Sequence, residues 1–249
     1  MDLTARQQIA RELCQRLAAT NPHVVVAGMI APATPLTDFD PLELLAVVDT
    51  TTSLPQHSFL LQDIVVTMYT ITLSELETVL RAPDRRWPQW LHWLATMHSL
   101  VGEGERVNQW LTQATAGAET DFYRRILPHL PQLVFGCYGE LRAVAVRRSE
   151  REALLLVPTL LAEMHTALCL INRRWPMQRR FAGLEESFTF PLQPRDWPYL
   201  ATALLASHQL DEIAQLAGTL VGYYWQLLVR CSLTIEHHQT TATAPLWPL

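Results

Sequence analysis

A chain of 249 residues suits one large domain or two of ordinary size. With 49% of its residues hydrophobic and 17% charged, it has enough apolar side chain for a packed core, which excludes an intrinsically disordered chain. A formal net charge of -5 leaves no electrostatic footprint for nucleic acid.

All nineteen basic residues are arginine, so no lysine is available as a phosphate-binding point charge or a Schiff-base former. The cysteines Cys14, Cys137, Cys169 and Cys231 stand far apart, at no zinc-ligand spacing, and give no support for a disulfide framework. The opening residues read as a charged amphipathic helix and not a signal peptide. No apolar run approaches the roughly 20 residues of a membrane span. The expectation is a soluble, cytoplasmic protein with neither nucleic acid nor membrane as partner.

In chain order, Ile9, Leu13 and Leu17 at spacing four predict an amphipathic helix over residues 4–19, ended by Asn21-Pro22. Residues 23–28 (HVVVAG) predict a short buried strand. A loop with Pro32, Pro35 and Pro41 follows, then a second strand over residues 42–48 (LELLAVV), expected beside the first in one sheet. Residues 63–69 predict a third strand, 73–81 a helix, 94–101 a further strand, and 105–113 a helix after the turn at Gly102-Glu103-Gly104. Trp87, Trp90 and Trp93 read as packing anchors.

From residue 120 the strand-like runs give way to long apolar-periodic segments at 120–147, 149–172, 196–206 and 210–233, a helical bundle in which Pro158 predicts a kink. The last ten residues, rich in Thr, Ala and Pro, are expected to fray. The break at Ala116-Gly117-Ala118 places a boundary there. The expected domains are residues 1–118, an α/β domain, and residues 119–249, a helical bundle. The fold class is α+β.

Several residues carry a more specific signal. Gly28-Met29 ends the first strand, and Asp38-Phe39-Asp40-Pro41-Leu42-Glu43 follows about ten residues on. Further along come Arg86-Trp87-Pro88, Leu100-Val101-Gly102-Glu103-Gly104, Cys137-Tyr138-Gly139-Glu140-Leu141-Arg142, and the helical pair over residues 199–225. In this order they resemble the kanamycin nucleotidyltransferase family of the nucleotidyltransferase superfamily, over nearly the whole chain.

The resemblance implies a mixed sheet with flanking helices followed by a helical bundle. It also implies a homodimer with shared sites. For an active member it implies Mg²⁺ and a nucleoside triphosphate, bound by paired carboxylates and by a Gly-Ser turn whose backbone approaches the phosphates. A Glu of the helical domain then takes the proton from the hydroxyl of a small acceptor.

Carried onto this chain, the turn falls on Gly28 and Met29, which lacks the hydroxyl. The metal carboxylates fall on Asp38 and Asp40, or on Glu43 with Pro41 in the place of the first. The base falls on Gly136, or on Glu140 in a slipped alignment; otherwise Glu140 replaces a phosphate-binding lysine. The alternative for Asp38 and Asp40 is a solvated turn.

The expected reading is a degenerate homologue acting as a binding or partner subunit, either a homodimer or paired with a related chain, with a small-molecule ligand within its range. The alternative is an active Mg²⁺-dependent enzyme transferring a nucleoside monophosphate to an aminoglycoside-like acceptor. Arg173-Arg174 and Arg179-Arg180 offer a loop anion site. Arg147, Arg148 and Arg151 read as a solvated face, and His237-His238 has no partner acids.

Overall fold

The computed structural model describes residues 3–31, 37, 39–50, 56–178 and 180–231. Asp38, Arg179, His237-His238 and the last ten residues lie outside them. The elements in chain order are α1 (Leu3–Thr20), β1 (Val24–Ile30), β2 (Leu42–Val48), β3 (His57–Leu61), β4 (Ile64–Thr72), α2 (Leu73–Arg81), α3 (Trp87–Thr96), β5 (Met97–Gly102), α4 (Gly104–Ala116) and α5 (Glu119–Ile126). They continue with α6 (Leu130–Arg147), α7 (Glu150–Ile171), α8 (Arg180–Glu186), a 3-10 turn (Ser187–Thr189), α9 (Trp197–Ala206) and α10 (Leu210–Arg230).

Five strands form one sheet in the order β3-β4-β2-β1-β5. Strands β1 and β2 are antiparallel neighbours, as their apolar runs lead one to expect, while β2 and β4 run parallel. Side chains alternate across a strand. Ala27, Met29, Leu42, Leu44, Ala46, Ile64 and Val66 therefore share the face that buries Ala10 and Cys14 of α1, with Ile9, Leu13 and Leu17 packed at the margin. Glu43, Thr67 and Tyr69 belong to the opposite face, towards which α2 and α3 contribute.

Helix α2 starts with a full capping box. Thr72 Oγ1 accepts from the Glu75 backbone N–H, and the Glu75 carboxylate accepts from the Thr72 N–H.

The chain folds into two compact units. The first comprises Met1–Ile126 and Leu161–Gln193, the second Leu127–Leu160 and Pro194–Leu249. Residues 161–193 are joined to the sheet unit by contacts distant in sequence: His92 Nδ1 to the Pro176 carbonyl at 2.6 Å, and the Tyr123 hydroxyl to the Ile171 carbonyl at 2.8 Å. Asn172 closes the base of this segment, its amide donating to the Leu192 carbonyl (2.7 Å) and accepting from the Leu192 N–H (3.0 Å). In the second unit, α10 packs on α6 and α9, and the buried Tyr224 hydroxyl donates to the Leu130 carbonyl.

Several local expectations change. The apolar run 94–101 divides at Thr96, its first part completing α3 and only Met97–Gly102 forming a strand. The segment 120–147 is two helices, α5 and α6, separated at Leu127-Pro128-His129. Strand β3 and helix α8 were not anticipated. Pro158 stands inside a continuous α7. Among the described residues α7 is also the one helix long and apolar enough to cross a membrane by length and composition. Half of that window is buried against the protein itself, as for a core helix.

Candidate functional site

The carboxylates singled out from sequence sit at the start of β2. Asp40 belongs to a turn that is held from both ends. Its Oδ2 accepts from the Thr37 backbone N–H at 2.6 Å and from the Thr37 hydroxyl at 2.9 Å. Arg6 of α1, 1% exposed, donates to the carbonyls of Thr37 (2.9 Å) and Asp40. The Asp40 carboxylate is therefore bound up in shaping its own turn, as Asp does in turns generally.

Glu43 lies three residues on, half-buried on the face away from α1. The parallel register sets it beside Thr67 of β4. Its Oε1 accepts from the Tyr69 hydroxyl at 2.9 Å. The Tyr69 ring stacks on Trp93 of α3 with centroids 4.3 Å apart, and Trp90 stands edge-on to Trp93 at 4.8 Å. Burial against these rings raises the Tyr69 pKa, which keeps the hydroxyl protonated and able to donate. The tryptophans are anchors here, and Trp87 likewise packs on Phe122 and Trp175.

The other candidates are placed as follows. Met29 is 3% exposed and points into the core beneath α1. Gly28 lies where β1 meets β5 at an irregularity in register. A Cβ there would come within 2.3 Å of the His98 carbonyl oxygen, so the glycine is required by strand packing. Glu140 is exposed on α6, in the second unit, as are Gly136 and Gly139. Asp38 lies outside the described residues. Arg173 sits over the Phe122 ring and donates to the Thr115 and Gly117 carbonyls, and Arg174 sits over Phe190. Arg147 and Arg148 pair with Glu152 and Asp211 on an exposed surface.

The chemistry of this set can be tested against Mg²⁺. Two carboxylates converging on one point are the least that a metal-triphosphate site needs. Asp40 turns to Thr37 and Glu43 to Tyr69, while Thr67 stands opposite Glu43 where a further acid would have to be. Among the described residues no three His, Cys, Asp or Glu side chains come together around a cation position. Asp38, the other acid of the expected pair, lies outside the described residues. Tyr69, Thr67 and Arg6 escaped the reading of the sequence, because their place depends on the β2–β4 register and on the packing of α1. A shared period-two phase in the two strands was the one signal available.

A crystal structure of a nucleotidyltransferase-like protein from Exiguobacterium sibiricum 255-15 superimposes on 90% of this chain and 75% of its own, with a TM-score of 0.50 and 19% identity. The fold is nucleotidyltransferase-like. No family model matches the sequence, and no curated protein matches it. In this nucleotidyltransferase-like sheet, Glu43 on β2 and Tyr69 on β4 occupy the face described above, joined to one another by the hydroxyl–carboxylate bond.

Proposed function

We propose that this nucleotidyltransferase-like fold serves as a catalytically silent binding or partner subunit. The observation that carries the reading is the Glu43–Tyr69 bond. The acid nearest the expected metal position is satisfied by a phenol backed by two tryptophans, on a sheet face whose neighbouring strand offers Thr67 and no carboxylate. Three further features support it: Met29 in place of a hydroxyl residue, Asp40 committed to its turn, and the absence of lysine from the chain.

The competing reading is Mg²⁺-dependent transfer of a nucleoside monophosphate to a hydroxyl of a small cationic acceptor. It requires at least two of Asp38, Asp40 and Glu43 to turn inwards together on a metal.

Calorimetric titration with ATP and with GTP, each with Mg²⁺ in excess, separates the two. The expected result is no heat attributable to binding tighter than about 1 mM, or roughly 4 kcal/mol. Saturable, Mg²⁺-dependent binding well below that concentration favours the enzyme.

A further inference from the structure

The sheet has two edges, and among the described residues only one is guarded. At the β5 edge the pairing with β1 shifts register between Ala27 and Gly28, and the strand ends at Gly102 with φ +85 before turning into α4. Irregularities of this kind discourage a further strand. The β3 edge has none. Its five residues, His57–Leu61, pair with β4 in unbroken antiparallel register and include no proline and no Lys, Arg, Asp or Glu. Leu60 is 67% exposed and Phe59 40%.

The hairpin fixes which backbone groups are free. Leu61 and Ile64 flank a two-residue turn, Gln62-Asp63, with φ of 49 and 65 at its centre, the type I′ form. Such a turn closes on a hydrogen-bonded pair, so Leu61, Phe59 and His57 direct their N–H and C=O groups at β4. Ser58 and Leu60 direct theirs outwards.

We propose that the β3 edge is a docking surface for a second copy of this chain, pairing antiparallel with its own β3 about a two-fold axis at Phe59. This register sets the outward groups of Ser58 against those of Leu60 in the partner, and the reverse, forming two hydrogen-bonded pairs. Phe59 meets its own counterpart in the intervening non-bonded pair, where side chains approach most closely.

Hydrogen-bonding complementarity favours the same arrangement, since the His57 imidazole can donate and the Asp63 carboxylate can accept. The ionisable residues bordering this edge are His57 at one end and Asp63, in the turn, at the other, both exposed. Antiparallel pairing brings each His57 beside the partner's turn and its Asp63, twice over. Parallel pairing would set like beside like. The inference deepens the partner-subunit reading by naming the partner and the surface.

The test is light scattering together with oxidative cross-linking. The parent should show a mass above the 28.3 kDa protomer, rising towards twice that value with concentration. Leu60→Lys should return it to the protomer mass with an unchanged circular-dichroism spectrum. In a Cys231→Ser background, which removes the one half-exposed thiol among the described cysteines, Phe59→Cys should form a covalent dimer under mild oxidation, while Leu155→Cys, in the second unit and more exposed than Phe59, should not.

A parent that stays at the protomer mass throughout overturns the inference. So does a dimer that survives Leu60→Lys and fails to cross-link through position 59. That second result would leave a self-associating subunit that uses another surface, so the inference can fail without the proposed function failing with it.

Discussion

Gly28→Ala is expected to destabilise the protein by about 3 kcal/mol, the upper part of the range for inserting an atom where none fits. Gly28 lies in an interior strand with Leu45 of β2 on one side and Ser99 of β5 on the other. The added methyl would meet the His98 carbonyl oxygen at 2.3 Å and its carbon at 2.8 Å, and backbone atoms in a sheet have little room to retreat. Equilibrium unfolding in urea measures the loss. The matched control is Gly139→Ala on an exposed stretch of α6, where nothing lies within 4 Å of the new methyl. There the helix should gain roughly 0.5–1 kcal/mol from reduced chain entropy. A Gly28→Ala variant as stable as the parent would mean that β1 and β5 do not approach as described, and would return this glycine to a ligand-facing role.

Mild acid should weaken the fold through His165. Burial on α7 brings the pKa of His165 down from 6.5 to about 4, with a hydrogen bond to the Gly183 backbone opposing the shift. Cys169 lies 3.5 Å from its Nε2. The neutral ring is the form that the fold prefers, so the unfolded chain binds the proton more readily. Stability from this group is complete above pH 6.5 and falls away as the pH drops from 6.5 towards 4. The loss by about pH 4.5 is roughly 2–3 kcal/mol. His92 acts in the same direction, lowered first by burial and partly restored by the Pro176 carbonyl and Glu186. Urea titrations at neutral pH and at about pH 4.5, on the parent and on His165→Asn, isolate the contribution. Asparagine keeps a donor for Gly183 and does not titrate. The parent should lose about 2–3 kcal/mol more than the variant over this interval; equal losses would show that His165 is not held neutral by its surroundings.

The two histidines also show what local sequence can and cannot disclose. The apolar runs of β1 and β2 and the periodicity of α1, α7 and α10 depend on neighbours in the chain, so the sheet's centre and the long helices were legible. Strand β3 was not. HSFLL lies at the sheet margin with both faces exposed, so it lacks the alternation that a half-buried strand imprints. The end of α3 was hidden because apolar residues continue through Thr96 into β5 without a Gly or Pro to mark the change. The return of residues 161–193 to the first unit rests on contacts such as His92–Pro176, 84 residues apart, which leave no local mark.

The same limit governs the site. The sequence displayed the acids Asp40 and Glu43 and their odd separation, from which divergence follows if the strand is regular. It could not show what each acid meets. That Glu43 faces Tyr69 follows from the parallel pairing of Glu43 with Thr67, a register fixed by the whole sheet. That Asp40 caps Thr37 follows from the turn whose carbonyls Arg6 holds from α1.

The claim that the nucleotidyltransferase-like fold is retained here without its chemistry is tested most directly by assaying transfer. The protein would be incubated with labelled ATP or GTP, Mg²⁺ and kanamycin, beside an Asp38→Ala/Asp40→Ala double variant and a Glu43→Ala variant, and the labelled acceptor separated and counted. The predicted result is no labelled product above the enzyme-free control from any of the three proteins. Labelled kanamycin formed by the parent and abolished in the double variant or in Glu43→Ala would contradict the account, because it would show these carboxylates holding the metal and the triphosphate.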